Sequence, residues 1–181
     1  MSALYNGDVK LWNISNKENK DKEICVFKGH SSYVKYALFN PEFSNTIISS
    51  DNKNIKIWDV NKYSHNLNVI HEDIIDKLKW NYSGDKFGYI NNKCKLAINE
   101  IKEDKEKDKH KSLLQIHEQK ENYINDFIFE GYHDIIVFYE NRVKRWDMRK
   151  FNEPVKTYEN FDIIPYLYDN KIKIFIFNAI Q

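Results

Sequence analysis

Gly29-His30-Ser31-Ser32-Tyr33-Val34-Lys35-Tyr36-Ala37-Leu38-Phe39-Asn40-Pro41, closing at Asn54-Ile55-Lys56-Ile57-Trp58-Asp59, is the stretch on which the fold turns. It recurs. His71 leads to Ile98-Asn99 and His117 to Trp146-Asp147, so the interval from His to the closing residue is 28, 27 and 29 residues in the three copies. A partial copy ends at Trp12, and another begins near Pro154. Such a period fixes a repeat architecture before local propensity is consulted, because each unit buries its apolar faces only against its neighbours.

Within each copy the apolar residues follow the two-residue period of a strand between turn signals. First strands read at 33–39, 74–80, 123–129 and 163–168, where Val34, Ile75, Ile124 and Ile163 each precede an aromatic, Phe39, Trp80, Phe129 and Tyr168, by five positions. Second strands follow at 46–50, 86–90 and 135–139, and third strands at 55–59, 94–99 and 142–147, with short polar links between them. Outer strands near 24–27, 67–70, 113–116 and 155–158 complete each four-stranded unit. Asn6-Gly7 reads as a hairpin turn with both residues at positive φ.

Four strands per unit, a Gly-His pair at the start and Trp-Asp at the end are the WD40 pattern, and the expected fold is an all-β WD40 propeller. A blade takes roughly 40–45 residues, so the chain holds about four: three complete, at 24–60, 66–101 and 112–149, and two partial, at 1–14 and 153–181. It is therefore expected to be a fragment of a longer ring. An incomplete ring leaves apolar blade sides exposed, which favours self-association.

Composition narrows the function. Twenty-eight basic and 27 acidic residues leave a net charge of +1, with no footprint for nucleic acid or an anionic membrane. Apolar runs are short and interrupted, so no membrane insertion is expected, and the N-terminus has no signal-peptide form. A cytoplasmic location follows as the default. Cys25 and Cys94 form no CxxC pair and read as buried, reduced thiols. The links at 15–23 and 102–111 are charged or Asn-rich, without an apolar stripe, and read as solvated loops.

Catalytic patterns are missing. His71-Glu72 has Ile75 where a zinc-protease helix needs its second His, no two of the five glycines are spaced for a phosphate loop, and there is no GxSxG elbow. No cofactor, no metal and no enzymatic activity are expected. Aromatics interleave with Lys at 33–36 and 80–82, as in nucleic-acid platforms, but they coincide with repeated core slots and are read as core.

In WD40 proteins a His, a Ser or Thr, an Asp and the Trp form a buried hydrogen-bond network, since buried polar groups must be paired. This chain resembles that arrangement best at His30, Ser49 or Ser50, Asp51 and Trp58, with Asp59 beside the Trp. The second full blade has Ile98 at the Trp position and Asn92 near the Asp position. The third keeps Trp146 and Asp147 but has Glu140 at the turn. His30, His71 and His117 could suggest a metal cluster, but equivalent residues on different blades cannot converge on one ion, so they are read as structural.

Beyond the general repeat, the chain resembles the coronin family over about residues 7–177. The likeness is carried by Val9-Lys10-Leu11-Trp12-Asn13-Ile14, Phe27-Lys28-Gly29-His30, Asn54-Ile55-Lys56-Ile57-Trp58-Asp59-Val60, Trp80-Asn81-Tyr82-Ser83-Gly84, Ile116-His117-Glu118 and Arg145-Trp146-Asp147. It continues in Glu153-Pro154 and Ile163-Ile164-Pro165-Tyr166-Leu167-Tyr168-Asp169, outside the generic consensus. The resemblance implies middle blades of a seven-bladed, non-catalytic propeller that binds filamentous actin and organises the cytoskeleton. It implies no actin-binding residue in this chain. The alternative is a WD40 scaffold subunit of an unrelated complex.

Overall fold

A computed structural model describes residues 1–14, 22–62, 64–70, 73–101, 114–117, 123–150, 152–159, 162–163 and 177–178. Among them there is no helix, and so none long and apolar enough to cross a membrane. Sheet 1 has three strands, β1 (Ser2–Ala3), β2 (Val9–Asn13) and β3 (Lys22–Phe27). Sheet 2 orders β4 (Tyr36–Phe39), β5 (Thr46–Ser50), β6 (Asn54–Asp59) and β7 (Ser64–Ile70). Sheet 3 orders β8 (Ile75–Trp80), β9 (Lys86–Asn91), β10 (Lys95–Glu100) and β11 (Leu114–His117). Sheet 4 orders β12 (Ile124–Glu130), β13 (Asp134–Tyr139), β14 (Arg142–Asp147) and β15 (Lys156–Glu159), and a short pair β16 (Asp162–Ile163) and β17 (Phe177–Asn178) follows. All pairings are antiparallel.

Hydrogen bonding shifts the units by one strand relative to the sequence repeat. Strand 24–27, grouped above with the strands that follow it, pairs instead with β2, Val9 opposite Phe27. The outer strand of each repeat thus closes the preceding sheet, so consecutive repeats are laced together through backbone bonds. In the same way β7 closes β6, and β11 closes β10.

The sheets stand side by side, with β1, β4, β8 and β12 successive neighbours at the inner edge. Between sheets 1 and 2 lie Val9, Leu11, Phe27, Val34, Ile47 and Trp58. Between sheets 2 and 3, Ile48, Ile55 and Ile57 meet Ile75, Leu78, Phe87, Tyr89 and Ala97. Between sheets 3 and 4, Ile90, Leu96, Ile98 and Ile116 meet Phe127, Ile135, Val137, Tyr139 and Trp146. Because sheets 2 and 3 are each covered on both faces, their middle strands are buried at consecutive positions and not alternately, as in Ile47-Ile48-Ser49-Ser50 and Phe87-Gly88-Tyr89-Ile90-Asn91. Burying each large apolar side chain contributes ~1.5–3 kcal/mol, so these interlayers carry most of the stability.

Two glycines are set by contacts. A Cβ on Gly88 would lie 2.6 Å from both Ile98 Cδ1 and Phe127 Cε2, so the sheet 3–4 interlayer needs hydrogen at that position. Gly7 has φ 87°, while Asn6 is not left-handed, which corrects the expected two-residue turn. Gly7 N–H donates to Leu4 C=O at 3.3 Å, and Asn6 Oδ1 accepts from Asp8 N–H at 3.2 Å. This is a turn followed by a left-handed glycine, one residue longer than a two-residue hairpin.

Candidate functional site

Strand register aligns the sheets residue by residue. Thr46 faces Asp59, Lys86 faces Glu100 and Asp134 faces Asp147, so Trp58, Asn99 and Trp146 share one position. The Trp slot of sheet 3 is therefore Asn99 and not Ile98. The slip arises in the β9–β10 turn, where Cys94 adopts φ 57° and adds one residue. The same register puts Asn91 and Tyr139, not Asn92 and Glu140, opposite the role of Asp51.

Sheet 2 holds the complete network. Trp58 Nε1–H donates to Ser49 Oγ at 2.7 Å, Ser49 Oγ is 2.6 Å from His30 Nε2, and His30 Nδ1 lies 3.1 Å from Asp51 Oδ2, at an angle short of a well-aligned hydrogen bond. Since the indole can only donate and a carboxylate only accept, Ser49 O–H donates to a neutral Nε2 while Nδ1 keeps its proton. Asp51 Oδ1 accepts from Lys53 and Asn54 N–H at 2.8 and 2.7 Å, and Oδ2 from Ser31 N–H at 3.1 Å. Burial alone would raise the Asp51 carboxyl. The hydrogen bonds from Lys53 and Asn54 outweigh it and hold Asp51 below its ordinary value.

Elsewhere the network is rewritten. In sheet 3, Asn91 Oδ1 accepts from Lys93 and Lys95 N–H at 3.1 and 2.9 Å, and Asn91 Nδ2 donates to Asp73 Oδ2 at 3.1 Å. Tyr89 replaces Ser49, and burial, reinforced by the Asp73 charge, pushes its phenol up to about 12. In sheet 4, Val137 and Tyr139 replace Ser49 and Asp51, and the buried Trp146 indole N–H finds no partner among the described residues. Sheet 1 repeats half of the network: Trp12 Nε1–H donates to Ser2 Oγ at 2.9 Å. Ser2 was missed in the sequence because it lies ten residues before Trp12 with no His ahead of it; counting back from each Trp across a hairpin finds it.

Asp59 and Asp147 cap the turns that follow. Asp59 accepts from Asn61 N–H at 2.9 Å, and Asp147 binds Arg149 through N–H and Nε at 2.9 Å and Nη2 at 2.7 Å. Hydrogen bonds from Arg149 hold the Asp147 carboxyl far below its usual range. His71 lies outside the described residues, as do the link 102–111, most of 15–23 and 164–169; His117 ends β11 opposite Lys95. The named residues are thus gathered within single sheets and not around one site. Cys25 and Cys94, read as buried, are both free and half-buried.

Lysines stitch the inner edge. Lys35 Nζ donates to Ile75 C=O at 3.1 Å and pairs with Asp76 at 3.0 Å; Lys79 Nζ repeats this on the next sheet, with Phe127 C=O at 2.8 Å and Asp126 at 2.7 Å. Each inner strand has an unpaired edge, and a lysine from the preceding sheet satisfies its carbonyls.

The surface left free lies at the end carrying the β5–β6, β9–β10 and β13–β14 turns. Tyr33, Ile74 and Tyr123 stand directly before the buried Val34, Ile75 and Ile124 and are 38%, 42% and 58% exposed. Tyr5, 89% exposed, stacks on Tyr33 with ring centroids 5.8 Å apart. The reading of such aromatics as core is corrected here: Tyr33 and Tyr82 face solvent, because the core slot is the β-branched residue beside Tyr33 and the strand ends before Tyr82.

No family model matches the chain. Apoptotic protease-activating factor 1 of Mus musculus is 30% identical over 74 residues, 41% of this chain and 6% of that protein. Protein transport protein SEC31 of Candida glabrata is 26% identical over 176 residues, 86% of this chain and 13% of that protein. The WD40 domain of Toxoplasma gondii coronin superposes with a TM-score of 0.71 at 18% identity, covering 93% of this chain and 46% of that one. The chain thus spans a small part of these curated relatives and less than half of the coronin domain. Its successive antiparallel sheets, their laced outer strands and this superposition give the chain the fold of a WD40 β-propeller.

Proposed function

We propose that the chain is a non-catalytic, coronin-like scaffold that binds actin filaments and acts in the cytoplasm on the cytoskeleton. The observation that carries a binding role is the row Tyr33, Ile74 and Tyr123, extended by Tyr5: apolar side chains held in solvent at one register on three sheets. Exposed apolar side chains collected on one face mark partner surfaces. Non-catalytic character is supported by where the reactive-looking groups go, since His30, Ser49, Asp51 and Trp58 are occupied by one another. Actin as the partner is supported by the coronin-like segments of the sequence.

A second reading is a WD40 subunit of another assembly, favoured by the match to SEC31 across 86% of the chain. Co-sedimentation with filamentous actin at low salt separates the two. Pelleting that Tyr33→Ala with Tyr123→Ala weakens about tenfold, without a change in melting, is the expected result. A chain that stays in the supernatant removes actin and leaves the second reading.

A further inference from the structure

The end opposite the Tyr33 row carries the β4–β5, β8–β9 and β12–β13 turns, and each holds an exposed aromatic: Phe43 at 55%, Tyr82 at 54% and Tyr132 at 74%. The first two of these turns are joined by one buried side chain. Asn40 accepts through Oδ1 from Glu42 and Phe43 N–H at 3.0 Å each and donates through Nδ2 to Gly84 C=O at 2.8 Å. A Cβ on Gly84 would collide with Asn40 Oδ1, so the turn of sheet 3 closes directly on that of sheet 2. Phe43 and Tyr82 are therefore presented to solvent by turns already fixed in place, which lowers the ordering cost of docking there.

Charge selects what fits. Over residues 40–45, 59–62, 81–86 and 100–101, which form this end of sheets 2 and 3, the carboxylates of Glu42, Asp59, Asp85 and Glu100 meet only two ammonium groups, Lys62 and Lys86. Lys62 lies 3.3 Å from Asp59, and Lys86 pairs with Asp85 while standing 3.6 Å from Glu100. Burial alone would raise the Asp85 carboxyl, but hydrogen bonds from Lys86, Ser83 and Asn81 bring it to about 2, so it is charged at neutral pH. Glu42 is exposed, and its carboxylate has no partner among the described residues. On sheet 4 the same end is balanced, with Glu130, Asp134 and Asp147 against Arg145, Arg149 and Lys150. The negative surplus thus sits beside Phe43 and Tyr82.

We propose that this end docks a basic segment of a partner protein, whose arginine or lysine side chains pair with Glu42 and Asp85 and lie over the Phe43 and Tyr82 rings. Aromatic faces attract cations, and unbalanced carboxylates both attract a basic segment and repel an acidic one. The surface lies at the other end of the sheets from the Tyr33 row, so the inference does not depend on actin as the partner of that row.

Fluorescence anisotropy of a short labelled peptide of Arg, Leu and Gly, beside a counterpart with Glu in place of Arg, tests this on the 181-residue chain. At about 0.15 M salt, where screening over ~8 Å removes distant charges, the Arg peptide should bind about tenfold tighter than the Glu peptide. Glu42→Lys and, separately, Tyr82→Ala should each weaken the Arg peptide about tenfold while the thermal transition persists. Glu140→Lys, the same charge change on the exposed β13–β14 turn at the other end, should leave binding unchanged. Equal binding of the two peptides overturns the proposal, as does Arg-peptide binding that neither Glu42→Lys nor Tyr82→Ala weakens. A sedimenting dimer that Glu42→Lys dissociates also overturns it, since a second copy then occupies this end.

Discussion

Trp58 and Trp146 occupy one register in sheets 2 and 4, opposite Ile47 and Ile135, and both are buried, yet among the described residues only the first indole has a hydrogen-bond partner. Sheet 2 spends four side chains on a relay from Trp58 to Asp51. Sheet 4 fills the same positions with Val137 and Tyr139, and no described residue pairs with the Trp146 N–H. The blade therefore tolerates either solution. What it requires at this position is volume between sheets, and the relay adds a fixed local geometry around the Asp51 turn.

The largest effect should come from breaking the relay at its most connected member. Asp51→Ala strands the Ser31, Lys53 and Asn54 N–H groups and His30, and should cost about 3 kcal/mol or more in urea unfolding. Tyr139→Phe, at the same position of sheet 4, should cost far less. Gly88→Ala, which forces a methyl into Ile98 and Phe127, should cost about 1–3 kcal/mol and loosen sheets 3 and 4 without touching the relay.

Acid should separate the two sheets. The folded Asp51 value lies below its ordinary 3.8, so its stabilisation is present above that value and is lost as pH falls through the lower folded one. The cost of Asp51→Asn, measured by unfolding at successive pH values, should stay level from neutral pH to about 5 and shrink below 3.8; a cost that grows on acidification would contradict the assignment. The smallest effect is at the inserted turn residue. Cys94→Gly should stabilise sheet 3 by roughly 0.5–1 kcal/mol, read as a raised melting temperature, because φ 57° strains a residue with a Cβ.

Much of the architecture was legible in the sequence, and for a physical reason. Second strands at 46–50 and third strands at 142–147 coincide with β5 and β14 because β-branched and aromatic runs between Asn, Asp and Gly turns leave little alternative. The slot of Asn99 was not legible, since one left-handed residue at Cys94 moves every later side chain by one position and nothing in its identity announces it. Membership of the outer strands was hidden too: 24–27 follows Trp12 and precedes His30 with equal plausibility, and only backbone pairing decides. Exposure of Tyr33 and Tyr123 was illegible because Tyr suits both a core slot and a wet surface.

The claim that the relay is an energetic unit, and not a coincidence of packing, is tested most directly by a double-mutant cycle on Ser49→Ala and Trp58→Phe, followed by denaturant unfolding. The predicted coupling is about 1 kcal/mol or more, because either change alone already breaks the Trp58–Ser49 bond. Two costs that simply add, with no coupling beyond error, would contradict it.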